Sequence, residues 1–339
     1  MSRVVILSNI SRGLPGWEEA KEMLRRAGHE VFDAGERDFN EDETIRYLGD
    51  ADAVFVGFNK LSGNAIKSGK NLKVIAKPGV GVDNIDVDTA TQEGIIVCNT
   101  PGSNAEPTAD HLFGLMIALA RKIPYLDRMT KAGQGWERTP PAVGSEIVDK
   151  TLGVIGTGSI GQAVIRRAKG FDMEILAFGS HMISDQKLIQ DLSIKYLPLE
   201  DVLKRSDFVT LHVPLTHETR GLIGEPQLRL MKKTAYLFNT SRGSIVDEKA
   251  LIRALKEGWI NGAGLDVFEE EPLTESELFK LENVVVTPHT AGYSPEASLR
   301  ARIMTAQNII DAFQEIKPHI VNREVLKLSH RKIKLKDWT

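Results

Sequence analysis

The sequence predicts an α/β protein made of two doubly wound domains, each with a parallel sheet between helices. Short β-branched segments alternate with helical segments over the first hundred residues, and a second series of the same kind begins near Thr151. Because parallel strands need crossover connections, which are usually helices, this alternation is typical of a parallel sheet covered on both faces. The chain has 339 residues, which is enough for two such domains.

The first series predicts five strands, ended by Gly and Pro residues. Residues 17–27 have the apolar spacing of a helix, and none of the segments resembles a nucleotide-binding loop. The predicted strands are residues 4–8, 30–33, 53–58, 74–77 and 95–99.

The second series predicts six strands with helical segments between them, as a doubly wound fold requires. A helix over 104–121, rich in Ala, Leu and Met, separates the two series and is followed closely by Pro124. The six predicted strands are residues 152–155, 174–178, 208–213, 235–239, 262–267 and 284–287.

A long helix after the second series is predicted to return the chain to the first sheet. Ser294 and Pro295 suit the first turn of such a helix. The first domain is then discontinuous and comprises residues 1–103 and 290–339, with residues 104–289 inserted into it.

Composition excludes several classes of partner. With 43 Lys and Arg against 46 Asp and Glu, the net charge of -3 creates no positive field for nucleic acid or an anionic membrane. Cys98 is a single cysteine and cannot form an internal disulfide. No apolar run approaches the roughly 20 residues that cross a bilayer, and the N-terminus does not resemble a signal peptide. We therefore expect a cytoplasmic protein.

A glycine-rich turn, Gly156-Thr157-Gly158-Ser159-Ile160-Gly161, lies between a buried-strand pattern and a helical one. A GxGxxG triplet is weak evidence alone, but this strand–turn–helix context is typical of dinucleotide binding. Gly156 permits the tight turn, Gly158 lets the backbone approach a pyrophosphate, and Gly161 allows close helix packing. Ser159 and Ile160 complete the predicted contacts. The inserted domain is thus predicted to be a Rossmann domain, and the discontinuous one a flavodoxin-like substrate domain.

The preference between NAD and NADP stays open. An acidic residue is expected about 20 residues after the glycines, where it binds the ribose 2′-hydroxyl and repels a 2′-phosphate. Here the strand runs into Gly179, Ser180 and His181, with no carboxylate until Asp185. Ser180 and His181 could approach a phosphate, although His181 is equally well explained as an ordinary loop residue.

Arg242 follows the strand predicted over 235–239, and ligands of open α/β sheets bind beyond the carboxyl ends of strands. Its planar fork can bind a carboxylate through two hydrogen bonds and polarise a neighbouring keto oxygen. The alternative is a surface arginine in an ion pair.

Glu271 and His289 also follow strands, next to Pro272 and Pro288. A lone histidine here would more often be structural, but a carboxylate favours the protonated imidazole and defines its tautomer. Together with Arg242 they provide what hydride transfer to a 2-keto acid needs. The two glutamates directly before Glu271 are interpreted as part of a solvated acidic loop.

The other histidines are weaker candidates. His111 lies in the apolar helix, where a packed or hydrogen-bonded role is favoured, and His212 is expected in a wall of the cofactor pocket. Histidines are not found near Cys, Asp or Glu at metal-ligand spacing, so no metal is predicted.

These motifs, in their order and spacing, resemble the D-isomer-specific 2-hydroxyacid dehydrogenase family over nearly the whole chain. The resemblance implies that Arg242 binds the substrate carboxylate, His289 is the acid/base and Glu271 holds its imidazole. It further implies that Asp266 contacts the nicotinamide carboxamide and that Thr240 borders the nicotinamide. The segment containing His212, Pro214 and Thr219 matches a family motif and is assigned to the cofactor site.

Within the family, residues 78–86 and 102–106 look most like D-3-phosphoglycerate dehydrogenases, of a short type without the C-terminal serine-sensing domain. The resemblance implies that backbone N–H groups of Val80 and Gly81 hold the substrate carboxylate. Asn59, Lys60 and Lys77 stand where that subgroup often has phosphate-binding side chains, although arginine is common where Lys77 stands.

The predicted activity is NAD(P)-dependent hydride transfer at C2 of a 2-keto or 2-hydroxy acid, in a cleft between the domains, with D-3-phosphoglycerate and 3-phosphohydroxypyruvate as the first candidates. The alternatives are a glyoxylate or hydroxypyruvate reductase and a noncatalytic dinucleotide sensor similar to transcriptional corepressors. The resemblance also implies a homodimer formed through the nucleotide-binding domain, with residues 104–121 and the segment to Trp136 as contacts.

Overall fold

The computed structural model describes residues 2–10, 13–136, 143–179, 183 and 186–333. These residues form two compact units, one from Met1–Asn104 and Tyr293–Thr339 and one from Ala105–Gly292. The strands, in chain order, are β1 (Arg3–Ser8), β2 (Glu30–Glu36), β3 (Ala53–Val56), β4 (Val74–Ala76), β5 (Ile96–Cys98), β6 (Thr151–Ile155), β7 (Glu174–Phe178), β8 (Lys195–Tyr196), β9 (Phe208–Leu211), β10 (Tyr236–Asn239), β11 (Gly262–Leu265) and β12 (Val284–Val286).

Helices connect these strands, and short 3-10 helices lie at Gly243–Ile245, Glu277–Lys280 and Arg323–Lys327. The α-helices are α1 (Trp17–Arg26), α2 (Glu41–Leu48), α3 (Gly63–Ser68), α4 (Val87–Gln92), α5 (Ala105–Ala120), α6 (Ile123–Lys131), α7 (Ser159–Lys169), α8 (Gln186–Asp191), α9 (Leu199–Arg205), α10 (Glu225–Leu230), α11 (Glu248–Lys256) and α12 (Pro295–Phe313).

The first unit contains a five-stranded parallel sheet in the order β2-β1-β3-β4-β5. This is the flavodoxin-type order, as predicted. Trp17 and Leu24 of α1 and Ile309 of α12 pack on one face of the sheet, so the last long helix does return to it. Leu48 and Ile66 contribute to a core on the other face. Burial on both faces explains the continuous apolar strands.

The second unit contains a seven-stranded parallel sheet in the order β12-β11-β10-β9-β6-β7-β8. Counted from β6, this is the order 3-2-1-4-5-6 of a dinucleotide fold with a seventh strand added beyond the sixth. Leu112 and Met116 of α5 and Val164 of α7 cover one face, while Leu228 and Leu251 cover the other. The predicted α/β class with two parallel-sheet domains is confirmed.

Two elements were not expected from the sequence. Strand β8 has only two residues at the sheet edge and is too short to show periodicity. Helix α6 starts one residue before Pro124. Proline is common in the first turn of a helix as well as just after the end of one, so Pro124 did not reveal this helix. Among the described residues no helix is long and apolar enough to span a membrane.

Candidate active site

Arg242, Glu271 and His289 follow three neighbouring strands. Strands β10, β11 and β12 pair in parallel in that order, so their carboxyl ends share one edge of the second sheet. Arg242 comes three residues after β10, and His289 comes three residues after β12. Sheet topology thus brings together side chains that lie up to 47 positions apart in sequence.

His289 and Glu271 are hydrogen-bonded, with 2.7 Å between His289 Nδ1 and Glu271 Oε2. The second carboxylate oxygen, Oε1, accepts the backbone N–H of Phe268 at 2.9 Å. Because an ionised carboxylate only accepts hydrogen bonds, Nδ1 of His289 carries a proton, and Nε2 is left as the atom that can exchange one. The pair has the geometry of an oriented acid/base.

Glu271 is held in its charged form. Partial burial pushes the pKa of its carboxyl up, but hydrogen bonds from His289 and Phe268 and the charges of His289 and Arg242 outweigh burial and lower it below its ordinary value. Its contribution to stability is therefore present above the ordinary carboxyl range and lost as pH falls through the lowered value in the folded protein. At neutral pH the carboxylate stays ionised beside the imidazole.

Arg242 is fixed by short local contacts. Its Nη1 donates to the carbonyl of Ser241 at 2.6 Å, and its own carbonyl accepts the side-chain amide of Asn239 at 2.8 Å. Its charge contributes to the lowered pKa of Glu271, so the guanidinium acts electrostatically on the same pair. The arrangement places a cation beside an oriented imidazole.

Asp266 anchors the segment that carries His289. It is 1% exposed, and its carboxylate accepts the backbone N–H groups of Thr290 and Ala291 at 2.8 Å and the hydroxyl of Thr287 at 2.6 Å. Its backbone carbonyl accepts the N–H of His289 at 2.7 Å. These bonds compensate for the left-handed backbone of His289, with φ of 54°, which is unfavourable for a residue other than glycine. Contact of Asp266 with nicotinamide stays a prediction.

Thr287 was not identified from the sequence. Its hydroxyl donates to Asp266, so it accepts from Nε2 of His111, which lies 2.9 Å away on α5. His111 thus has a hydrogen-bonded role, as favoured for it. A threonine before Pro288 carries no sequence signal of this role, because the bond depends on how α5 packs against β12.

The glycine turn has the shape that a dinucleotide needs. Gly156 has φ of 100°, and a Cβ added to it would lie 2.6 Å from the backbone of His212. A Cβ on Gly161 would lie 2.1 Å from the carbonyl oxygen of Gly156, whereas a Cβ on Gly158 would meet nothing within 4 Å. Helix α7 then begins at Ser159 without a side-chain cap, so its first N–H groups can bind phosphate oxygens.

Two buried polar atoms near this turn have no hydrogen-bond partner in the described part of the chain: Nδ1 of His212 and Oγ1 of Thr240. They follow β9 and β10, which are neighbours in the sheet. Burial lowers the pKa of His212 to about 3, so its ring is neutral, with Nε2 2.9 Å from the hydroxyl of Thr210. Unsatisfied buried groups at this sheet edge fit a polar cofactor.

The remaining predicted cofactor residues are less informative. The hydroxyl of Thr219 donates to the carbonyl of Pro214 at 2.6 Å and accepts the N–H of Thr216, which closes a local turn. Ser180 and His181 lie outside the described residues. Cofactor contacts of all four stay predictions.

Ala substitutions at two glycines should separate folding from cofactor binding. We expect Gly161→Ala to destabilise the protein by about 2 kcal/mol or more, because the added methyl collides with backbone. Gly158→Ala should unfold within about 2 °C of the parent but bind NADH about tenfold more weakly or worse, since its methyl takes the space of the pyrophosphate. Thermal unfolding and fluorescence titration with NADH measure the two effects. Normal NADH affinity in Gly158→Ala would contradict this assignment.

The predicted substrate residues belong to the first unit. Asn99 donates its side-chain amide to the carbonyl of Val80 at 2.8 Å, and Thr100 bonds to both backbone groups of Gly79. The backbone N–H groups of Val80 and Gly81 have no acceptor among the described residues. Hydrogen bonds from Asn99 and Thr100 therefore hold this turn, and the two N–H donors of Val80 and Gly81 are left for a ligand.

The three candidates for phosphate binding differ in availability. Lys77 is 5% exposed, its Nζ donates to the carbonyl of Gly57 at 2.6 Å, and it lies 4.7 Å from the centre of the Phe58 ring. Asn59 is buried and donates to the carbonyl of Arg37. Lys60 is exposed. Their role in substrate binding stays a prediction.

Comparison with known proteins agrees with this architecture. Residues 113–291, more than half of the chain, match the model of the D-isomer specific 2-hydroxyacid dehydrogenase, NAD binding domain. The chain belongs to the D-isomer-specific 2-hydroxyacid dehydrogenase family. The predicted family and the NAD-type cofactor are thereby confirmed, and the chain is an oxidoreductase acting on 2-hydroxy acids.

Relatives of this family member carry different substrate names. A glyoxylate reductase of Korarchaeum cryptofilum is 48% identical over 290 residues, which are 84% of this chain and 86% of the relative. A D-3-phosphoglycerate dehydrogenase of Methanocaldococcus jannaschii is 40% identical and matches 91% of this chain but 58% of that longer protein. The structure of D-lactate dehydrogenase from Aquifex aeolicus, complexed with NAD and lactic acid, superposes with a TM-score of 0.80 at 30% identity, covering 94% of this chain and 98% of that one.

Proposed function

We propose that this dehydrogenase reduces a small, unphosphorylated 2-keto acid of the glyoxylate or hydroxypyruvate type, using NADH or NADPH. The observation that carries the reaction is the 2.7 Å pair of His289 and Glu271 beside the charge of Arg242. An imidazole oriented by a carboxylate serves as general acid during carbonyl reduction, and a guanidinium binds the acid group.

The bound nicotinamide supplies the hydride for C2 of the keto acid. His289 donates the proton on Nε2 to the oxygen that becomes the hydroxyl, while Nδ1 keeps its bond to Glu271. The negative charge of Glu271 stabilises the imidazolium before transfer and orients the ring during it. Arg242 holds the substrate carboxylate and polarises the keto group. In the first unit, the open N–H groups of Val80 and Gly81 are proposed as further donors to the substrate.

The state of the candidate phosphate ligands supports an unphosphorylated substrate. The ammonium of Lys77 is buried against the carbonyl of Gly57, and Asn59 is committed to Arg37. Only Lys60 presents an exposed charge among the three. A phosphate group carries nearly two negative charges and is usually bound by several free donors. The glyoxylate reductase relatives favour the same substrate class.

The second candidate is 3-phosphohydroxypyruvate, with D-3-phosphoglycerate as product. The similarity to the Methanocaldococcus jannaschii dehydrogenase favours it, as do the cations at Lys60 and Lys77. Binding of this substrate through Lys77 would use an N–H of its ammonium other than the one donated to the Gly57 carbonyl.

A panel of four acids, each with NADH and NADPH, tests the proposal. We expect kcat/KM for glyoxylate and hydroxypyruvate to exceed that for 3-phosphohydroxypyruvate by about tenfold or more, because each unmatched phosphate contact costs about 1.4 kcal/mol or more. Activity with pyruvate shows whether the substrate site accepts a methyl group next to the keto carbon. The reverse order would establish the second candidate, and inactivity with all four, despite NADH binding, would favour a noncatalytic sensor.

We further propose a homodimer formed through the second unit. Helix α6 has no buried residue, and Ile123 at its start is 49% exposed. Trp136 and Val143 are more exposed still. Such apolar surface next to α5 is suited to a second copy of the chain. A monomeric mass by light scattering at micromolar concentration would contradict it.

A further inference from the structure

A basic cavity of about 270 Å³ lies in the first unit, outside the residues assigned to catalysis. Its walls are Asn99, just after β5, and the segment after α12 that contains Lys317, His319 and Arg323. None of the residues that line it is acidic. Three side chains that carry or can carry positive charge therefore share one small cavity.

Two of the three basic side chains that line this cavity have no partner among the described residues. The side chains of His319 and Arg323 form neither a hydrogen bond nor an ion pair with any residue that the structure describes. Lys317 has an interaction of its own. In contrast, Arg128 and Arg253 on the second unit pair with carboxylates at 2.7 Å. Basic side chains without counter-charges, here those of His319 and Arg323, attract anions.

The walls of the cavity are rigid. Asn308 of α12 is buried, donates its side-chain amide to the carbonyl of Asn99 at 2.8 Å and accepts the N–H of His319 at 2.9 Å. Ile320 forms an antiparallel bridge with Cys98, which extends the edge of the first sheet. Preorganised walls reduce the entropy lost when a ligand binds.

We propose that this basic cavity binds a small anion that carries a phosphate group. Arg323 supplies a planar fork that matches two phosphate oxygens, and the imidazole of His319 adds a donor. The volume lies just below the range of about 300–1,000 Å³ typical of cofactor and drug sites, so inorganic phosphate or a small phosphate ester fits, while a nucleotide does not.

The cavity also adjoins the turn assigned to the substrate carboxylate. Asn99 lines the cavity and donates its side-chain amide to the carbonyl of Val80. An anion that shifts Asn99 therefore acts on the donors of Val80 and Gly81, so occupancy should change KM for the keto acid more than kcat.

Titration calorimetry with inorganic phosphate tests the site on protein saturated with NADH, which keeps phosphate out of the cofactor turn. We expect His319→Gln/Arg323→Gln to bind phosphate about tenfold more weakly than the parent or worse. The matched control is Lys327→Gln. Lys327 lies in the same 3-10 helix as Arg323 but does not line the cavity, so the phosphate affinity of this variant should stay within about twofold of the parent.

Equal phosphate affinity in the parent and the double variant would overturn the proposal. Acetate, which carries a single charge, should bind weakly to both. Thermal unfolding within about 2 °C of the parent verifies that the double variant is folded. Because the readout is binding, it does not depend on the proposed reductase activity and can fail or succeed separately from it.

Discussion

Replacing His289 with Ala should lower kcat for keto-acid reduction by about 10²–10⁴-fold and leave the Kd for NADH within about twofold. The imidazole is the group that can protonate the forming alkoxide, and general acid catalysis contributes about this factor. Its pair with Glu271 lies at the end of β12, away from the glycine turn after β6. Steady-state kinetics and NADH fluorescence titration measure the two quantities.

Glu271→Gln is the companion variant, because it keeps the size of the side chain and removes its charge. We expect a smaller loss of kcat than in His289→Ala. The amide can still accept the hydrogen bond from Nδ1 of His289, but it supplies no negative charge beside the imidazole. Unchanged turnover in His289→Ala would remove this residue from the mechanism, whatever the companion variant does.

Replacing Arg242 with Gln should lower kcat/KM by about 10²–10³-fold, mainly through a higher KM. The loss of two charge-assisted hydrogen bonds to the substrate carboxylate accounts for about 3–4 kcal/mol. Arg242→Lys should recover only part of it, because an ammonium cannot provide a planar fork. Initial rates over a wide range of keto-acid concentration measure the effect.

Arg253→Gln serves as the control for Arg242. Arg253 is an exposed arginine of the same unit whose guanidinium pairs with Glu225 at 2.7 Å, and its loss should change kcat/KM by less than about twofold. A KM in Arg242→Gln equal to that of the parent would show that another group binds the carboxylate.

Local patterns were sufficient for most elements of the fold. The strand before Gly156 and the helix after it were identified because glycine spacing and apolar periodicity are properties of neighbouring residues. The strands 53–58 and 208–213 were predicted too long, since apolar residues continue past the last paired position at Val56 and Leu211. Strand β8 has two residues and is defined by pairing with β7 alone. Its existence could not be read from periodicity.

The candidate site, like the fold, could be predicted from the sequence only in part. The order of residue types in the sequence predicts that Arg242, Glu271 and His289 each follow a strand. Parallel strands place their carboxyl ends at one edge of a sheet. The 2.7 Å pair, the lowered pKa of Glu271 and the orientation of the ring depend on atoms from different strands.

By itself, the sequence determined the two parallel sheets, the dinucleotide turn, the family and the residue types available for catalysis. Only the tertiary structure decided that Asp266 and Thr287 brace the histidine, that Lys77 is occupied by a backbone carbonyl, and that Lys317, His319 and Arg323 share a cavity. The physical reason is the distance along the chain over which each effect acts. Backbone preference and amphipathic spacing act within a few residues, whereas hydrogen bonds and burial are set by side chains that only folding brings together.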